Sequence, residues 1–287
     1  ALDAGYTADE PDVVEQCMAW RDASPGWGFV DEATGLILDE GLVHAGRRRE
    51  MDFMGRLTVW RYSTVDEARQ VAGKGPLGVR WVDTDRGGAE KPDVRCRLVV
   101  QETRGNNTIA KDDVATVFAA APPLECLRIL CSLCTSTLPS LLFVLRFLDI
   151  SRAHQHCKLE RDVYIRLPAE DPRSVEPGLC AKLLMCLNGV RDAGKAFNDT
   201  VAATMVGCGC VQGLYSPVVY RHVEKGLAFF HWGDDFVILG PRDASAWLAG
   251  KLAEVFIVKD RGVLGPGSGD LQEVRVLNRI LRWRRAH

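Results

Sequence analysis

Phe229-Phe-His-Trp-Gly-Asp-Asp-Phe-Val-Ile-Leu-Gly240 is the stretch on which the reading of this chain turns. Asp234 and Asp235 sit side by side between apolar runs that read as paired strands, and they are read as the two central residues of the turn. Two ionised Asp at a tight turn repel each other and are costly without a cation. An ordinary surface turn has the same composition, because Gly and Asp are common turn formers, so the tripeptide alone leaves both readings open. Upstream, Phe143 to Ile150 is an apolar run that reads as a buried strand, and it carries Asp149 near its end. Asp149, Asp234 and Asp235 together are a donor set for two Mg²⁺ roughly 3.5–4 Å apart, an arrangement that activates an attacking hydroxyl and stabilises a leaving phosphate.

Outward from these carboxylates, short strand patterns alternate with helices. Leu57-Thr-Val-Trp-Arg-Tyr, Val79-Arg-Trp-Val and Arg95-Cys-Arg-Leu-Val-Val predict strands, the last two forming a hairpin across Asp83-Thr-Asp-Arg-Gly-Gly. Pro122-Pro123 opens a helix from Leu124 to about Thr137 with Glu125 in its first turn. Further strands are expected at Val163-Tyr-Ile-Arg-Leu-Pro and Val218 to Val223, while Leu179 to Met185 leads into the next turn. Asn188-Gly marks a turn before a helix over about Arg191 to Met205, and another helix is expected over Ala244 to Phe256. Residues 1–56 are expected to be an acidic arm or linker, and 57–287 the folded part.

The 287 residues carry a net charge of −2, but the charge is unevenly spread. Residues 1–46 hold ten acidic side chains and one basic, whereas 47–111 hold fourteen basic and nine acidic, starting at Arg47-Arg48-Arg49. Arg279, Arg282, Arg284 and Arg285 make the last stretch basic again. Such asymmetry permits a local phosphate-binding surface, although solvated mixed faces would read the same way. No apolar run has the length of a membrane span and no leader pattern opens the chain, so no membrane partner is expected and the expected location is intracellular, in cytoplasm or nucleus. Of the ten cysteines, Cys131 and Cys134 lie at the spacing of a buried helix face, and His154, His156 and Cys157 lack an evident fourth ligand. Reduced thiols are the expectation.

Taken in order, the segments resemble copia-type reverse transcriptases of retrotransposons. That family carries Lys-Ala-Arg-Leu-Val, then Asp-Val-Lys-Thr-Ala-Phe, then Leu-Tyr-Gly-Leu-Lys-Gln-Ala-Pro-Arg-Ala-Trp, then Tyr-Val-Asp-Asp. Here stand Arg95-Cys-Arg-Leu-Val, Asp149-Ile-Ser-Arg-Ala-His154, Leu187-Asn-Gly-Val-Arg-Asp-Ala-Gly-Lys-Ala-Phe197 and Trp232-Gly-Asp-Asp235. Val163-Tyr-Ile-Arg-Leu-Pro168 and Phe256-Ile-Val-Lys-Asp-Arg-Gly262 are similar to two further stretches, Val-Tyr-Met-Lys-Gln-Pro and Phe-Lys-Met-Lys-Asp-Leu-Gly. Each motif is loose, but six in register from about Leu57 to Trp283 are specific.

The resemblance implies an α+β fold of fingers–palm architecture, with an antiparallel palm sheet backed by helices. It implies RNA- or DNA-templated DNA synthesis with two Mg²⁺ or Mn²⁺ ions, on a template with its primer and on dNTPs. Asp149 and Asp234 would be the principal catalytic metal ligands, with Asp235 beside them, and Arg95 and Arg97 would meet nucleotide phosphates. Gly189 to Lys195 would shape the floor under the nascent base pair, His154 would face the sugar, and Lys259 would lie near the leaving pyrophosphate. Integrase and RNase H segments of a Pol polyprotein are the implied partners. No integrase core precedes residue 57 and no RNase H segment follows Trp283, so a polyprotein piece or a lone domain is expected.

The chain departs from the family at His154, where the family has an aromatic that blocks a ribose 2′-OH. It departs also at Trp232-Gly233 in place of Tyr-Val, Asn188 in place of Tyr, and Gly194 in place of Pro. Two rivals follow. A decayed copy would keep the fold and serve as a binding or structural subunit. An RNA-dependent RNA polymerase would share Gly-Asp-Asp, but that family places a second Asp about five residues after the first, where His154 stands.

Overall fold

The computed structural model describes residues 28–88, 90–103, 105, 115, 117–136 and 143–284. Residues 1–27 of the expected arm and Arg285 of the basic tail lie outside the described residues. In chain order the helices are α1 (Glu40–Arg56), α2 (Val65–Ala72), α3 (Glu125–Ser136), α4 (Ala193–Gly207) and α5 (Arg242–Ala253). The strands are β1 (Trp60–Thr64), β2 (Val79–Asp85), β3 (Val94–Val100), β4 (Phe143–Ile150), β5 (Tyr164–Ile165), β6 (Leu179–Leu183) and β7 (Val211–Gln212). They continue as β8 (Val219–His222), β9 (Leu227–Trp232), β10 (Asp235–Pro241), β11 (Val258–Leu264), β12 (Glu273–Val276) and β13 (Arg279–Arg282). The expectation of mixed helices and antiparallel sheets holds, and no described helix is long and apolar enough to cross a membrane.

The described parts of Ala1–Glu50 and Trp81–Arg97 form one compact unit, and those of Met51–Arg80 and Leu98–His287 form the other. In the first, Leu38 and Val43 are buried with Val94 and Cys96. Gly46 is a packing glycine: a Cβ there would stand 2.6 Å from Cys96 Sγ. Arg47 bonds Asp83 at 2.7 Å while its guanidinium lies over Phe29 and Trp81, which satisfies its charge and shields its flat faces.

In the second unit, a six-stranded sheet runs β11-β4-β10-β9-β8-β7, every pair antiparallel. The alternation in β4 explains why it is central. Leu145 and Phe147 face one way, into a core with Val237, Leu239 and Phe230 under Leu127, Leu130 and Cys134 of α3. Arg146 faces the other way and donates from Nε to Ser245 Oγ of α5 at 3.2 Å. On that same side Phe197 of α4 meets His231 and Phe256 edge-on, with ring centroids 5.7 and 5.6 Å apart. Helices therefore cover both faces. A second sheet, β1-β6-β5, is covered by α2, whose Ala68 is buried against Tyr164 and Cys180.

Helices α1 and α2, strands β7 and β11 and the β12–β13 hairpin had no counterpart in the sequence reading, and β6 falls in a segment to which it gave no element type. The nine described cysteines are free thiols. Burial pushes Cys157 up to about 11 and Cys186 up to about 12, as small hydrophobes inside the fold.

Candidate active site

β9 and β10 are joined by two residues, Gly233 and Asp234, with Trp232 and Asp235 as the closing pair, so the turn lies one residue earlier than expected and Asp235 belongs to the strand. Gly233 takes φ +57°, and Asp234 is not among the residues of positive φ. A hairpin turn that needs positive φ only at its first central residue suits Gly there. The other edge of β10 pairs with β4 so that Asp235 stands directly opposite Asp149. Residues directly opposite in an antiparallel pair share a face, so the two carboxylates stand side by side. The turn is tied down on the same side, because Ile150 N donates to Asp234 O at 2.9 Å.

The charges of this pair are answered by Arg261. Its Nη2 donates to Asp149 Oδ1 at 2.7 Å and its Nη1 stands 3.1 Å from Asp235 Oδ1. Burial raises the Asp235 pKa above the ordinary carboxylate value; Arg261 acts against that shift, while Asp234 and Asp149 add to it by repulsion. Asp234 itself is exposed in the turn. Among the described residues no group of three or more His, Cys, Asp and Glu stands at metal-holding geometry. Paired carboxylates are the donor chemistry of a hard divalent cation, and Mg²⁺ commonly takes one or two of them with substrate phosphates supplying the rest, so Asp149 and Asp235 are the residues that would hold one.

Under the turn lies His231, fully buried. It stacks on Phe236 with centroids 5.0 Å apart and on Tyr220 at 6.1 Å. Its Nδ1 is 3.2 Å from Gly233 O, and since a carbonyl only accepts, Nδ1 carries the proton. Burial pushes its pKa down to about 4, so it is neutral at pH 7.

The other sequence-predicted residues fall in distinct places. Lys259 on β11 is directly opposite Asp149 on the edge of β4 away from β10. His154 lies in the 3-10 turn Ala153–His156, with Nδ1 2.9 Å from Asn188 Oδ1 and its ring edge-on to Phe197. Gly189 takes φ +86°, and a Cβ there would stand 2.1 Å from Val100 O, so only glycine fits where the turn passes the end of β3. Lys195, in the first turn of α4, is paired with Asp199 at 2.5 Å. Arg95 and Arg97 are on the less buried face of β3, in the other compact unit.

The sequence reading missed Arg261 and His231. Arg261 lies inside a quoted motif, yet strand alternation does not lead to it, because it is the extra residue of a bulge between Asp260 and Gly262. For His231 the signal was present: Leu227, Phe229 and His231 alternate on one face of β9, which placed the imidazole inward.

A comparison with protein families matches residues 61–264 to the family described as reverse transcriptase (RNA-dependent DNA polymerase). The matched span is about seven-tenths of the chain and takes in β4, the β9–β10 turn and Arg261. On this match, the chain belongs to the reverse transcriptase family.

Proposed function

We propose that the chain is the reverse-transcriptase domain of a copia-type retroelement Pol polyprotein and that it extends a primer on an RNA or DNA template. The observation that carries this is the register of Asp149 against Asp235 at the open ends of two central strands, beside the Gly233-Asp234 turn. The six-stranded sheet, with α4 and α5 packed on one face, would be the palm, and β3 with its arginines would belong to the fingers. The reaction is in-line attack of the primer 3′-hydroxyl on the α-phosphate of a dNTP. Bound Mg²⁺ or Mn²⁺ would lower the pKa of that hydroxyl and neutralise charge on the phosphates.

Everything else is done by the chain's own side chains. Asp149 and Asp235, with Asp234 beside them, would hold the divalent cations and so fix where the reacting oxygens meet. Arg95 and Arg97 offer guanidinium forks to the triphosphate. Lys259, next to Asp149 in register, would give a proton to the departing pyrophosphate. His154, steadied by Asn188, faces the sugar and limits room at its 2′ position. Gly189 lets the backbone turn close beneath the base pair, with Lys195 following it. In a retroelement such a protein works in cytoplasm or nucleus, alongside integrase and RNase H segments.

A second reading is favoured by one specific contact, the Arg261 bridge across Asp149 and Asp235, which a decayed copy acting as a binding subunit would keep without loss. Primer extension on poly(rA)/oligo(dT) with Mg²⁺ or Mn²⁺ separates the two. Metal-dependent dTTP incorporation that disappears in Asp234→Asn/Asp235→Asn establishes synthesis. A folded protein that incorporates nothing with either metal overturns synthesis and leaves the binding role as the reading to pursue.

A further inference from the structure

Arg261 is the member of the carboxylate cluster for which the polymerase reading has no use. It stands at the bulge of β11, where Asp260 pairs with Leu148 and Gly262 with Phe147, leaving Arg261 as the extra residue. The bulge turns its side chain onto the face shared by Asp149 and Asp235. Gly262 takes φ +106°, a backbone state that suits glycine and sustains the bulge. Asp260 is engaged on the opposite face by Arg146. The strand is thereby pinned on both sides of Arg261, and the guanidinium reaches one oxygen of each carboxylate, at 2.7 and 3.1 Å.

These are the oxygens that a divalent cation would take. A guanidinium and a metal ion are both cations, so Arg261 takes one oxygen of each carboxylate and sets its own positive charge where the charge of the ion would stand. The Arg261 side chain is 42% exposed, so the carboxylates rather than surrounding packing hold it in place. It can leave without unfolding anything.

The geometry points to an intramolecular competition: Arg261 is a tethered counter-cation that occupies the Asp149–Asp235 pair and must be displaced for a divalent metal to bind. This rests on the reading of Asp149 and Asp235 as metal ligands. Metal affinity is then set jointly by the two carboxylates and by the arginine that covers them. The arginine also lets the folded chain hold two adjacent carboxylates while no metal is bound. Once displaced, its planar fork remains anchored on β11 beside the site, where a triphosphate offers it new oxygens. Nucleotide and metal would accordingly load together.

The test is Mn²⁺ binding to the full chain, read by calorimetry and by the loss of free-Mn²⁺ signal in electron paramagnetic resonance, without nucleotide or primer. A tethered occupant lowers the apparent affinity by the fraction of molecules in which the pair stands open, so Arg261→Met is expected to bind Mn²⁺ about tenfold more tightly than wild type. Asp149→Asn added to that variant is expected to abolish the gain. Arg261→Lys, which keeps the charge but loses the two-pronged bridge, is expected to fall between and serves if Arg261→Met does not fold. Equal Mn²⁺ affinity in wild type and the folded Arg261 variant, lost in Asp149→Asn, overturns the competition and leaves the metal site standing. Absence of saturable Mn²⁺ binding in wild type and variant alike overturns both.

Discussion

His231 is an imidazole held neutral by its surroundings, with Phe236 and Tyr220 against its faces and Nδ1–H bonded to Gly233 O. Among the described residues its Nε2 has no hydrogen-bond partner, so a proton placed there in the folded state would be a buried, unanswered charge. The unfolded chain takes up that proton near its ordinary value of 6.5, the folded chain near 4. Because the unfolded state binds more protons between those values, stability is complete above pH 6.5 and falls as pH drops toward 4, by about 3 kcal/mol at most. Urea denaturation of wild type and His231→Phe at pH 7 and pH 4.5 checks this: the acid loss should be smaller in the variant. A second residue-scale prediction concerns Asp149. Replacing it with Asn keeps the shape and removes a ligand charge, so primer extension should fall at least about a hundredfold. Stability should change by less than about 1 kcal/mol, since the lost pair with Arg261 is partly exposed.

At the scale of elements, Gly189→Ala tests a turn. A side chain at φ +86° and 2.1 Å from Val100 O must push the Asn188 turn away from β3, at a cost of about 2–3 kcal/mol in thermal or urea unfolding. Helix α2 supplies a milder case. Thr64 caps it, its Oγ1 accepting from Glu67 N at 3.1 Å, and Thr64→Ala should cost about 1 kcal/mol while Thr64→Ser recovers most of it. That cap was legible: Thr64-x-x-Glu67 is a capping-box spacing, and Gly73 with φ +69° closes the helix. It went unread because eight residues give little periodicity. The β4 run Phe143–Ile150 matched the sequence expectation, since a stretch that is apolar apart from Arg146 and Asp149 buries both its faces as a central strand does. Helix α1 was hidden by Gly41, Gly46 and Gly55 and by its run of arginines; only packing against Cys96 shows why Gly46 belongs there. The paired Asp turn and the approach of Asp149 were legible in part, as carboxylates at strand ends, but their register was not, because it depends on which strands become neighbours.

Across the molecule as a whole, the segment following β3, the approach to β5 and the start of α4 are bound through one arginine. Arg161 makes paired bonds to Glu102 at 2.7 and 2.6 Å and to Asp192 at 3.0 and 2.8 Å, and the Glu102 side chain is fully buried. Burial works to lower the Arg161 pKa, yet the two carboxylates outweigh it and raise it. Arg161→Met leaves a buried carboxylate without its partner and should destabilise by about 3–5 kcal/mol, seen as a lowered urea midpoint. The free cysteines carry a different consequence. A thiol such as Cys157 or Cys186, enclosed and held as the uncharged form, has neither the access nor the thiolate that an alkylating reagent needs. Their labelling rates therefore become a clock for opening: mass added at Cys157 and Cys186 over time counts how often the interior meets solvent, under native conditions and without denaturant.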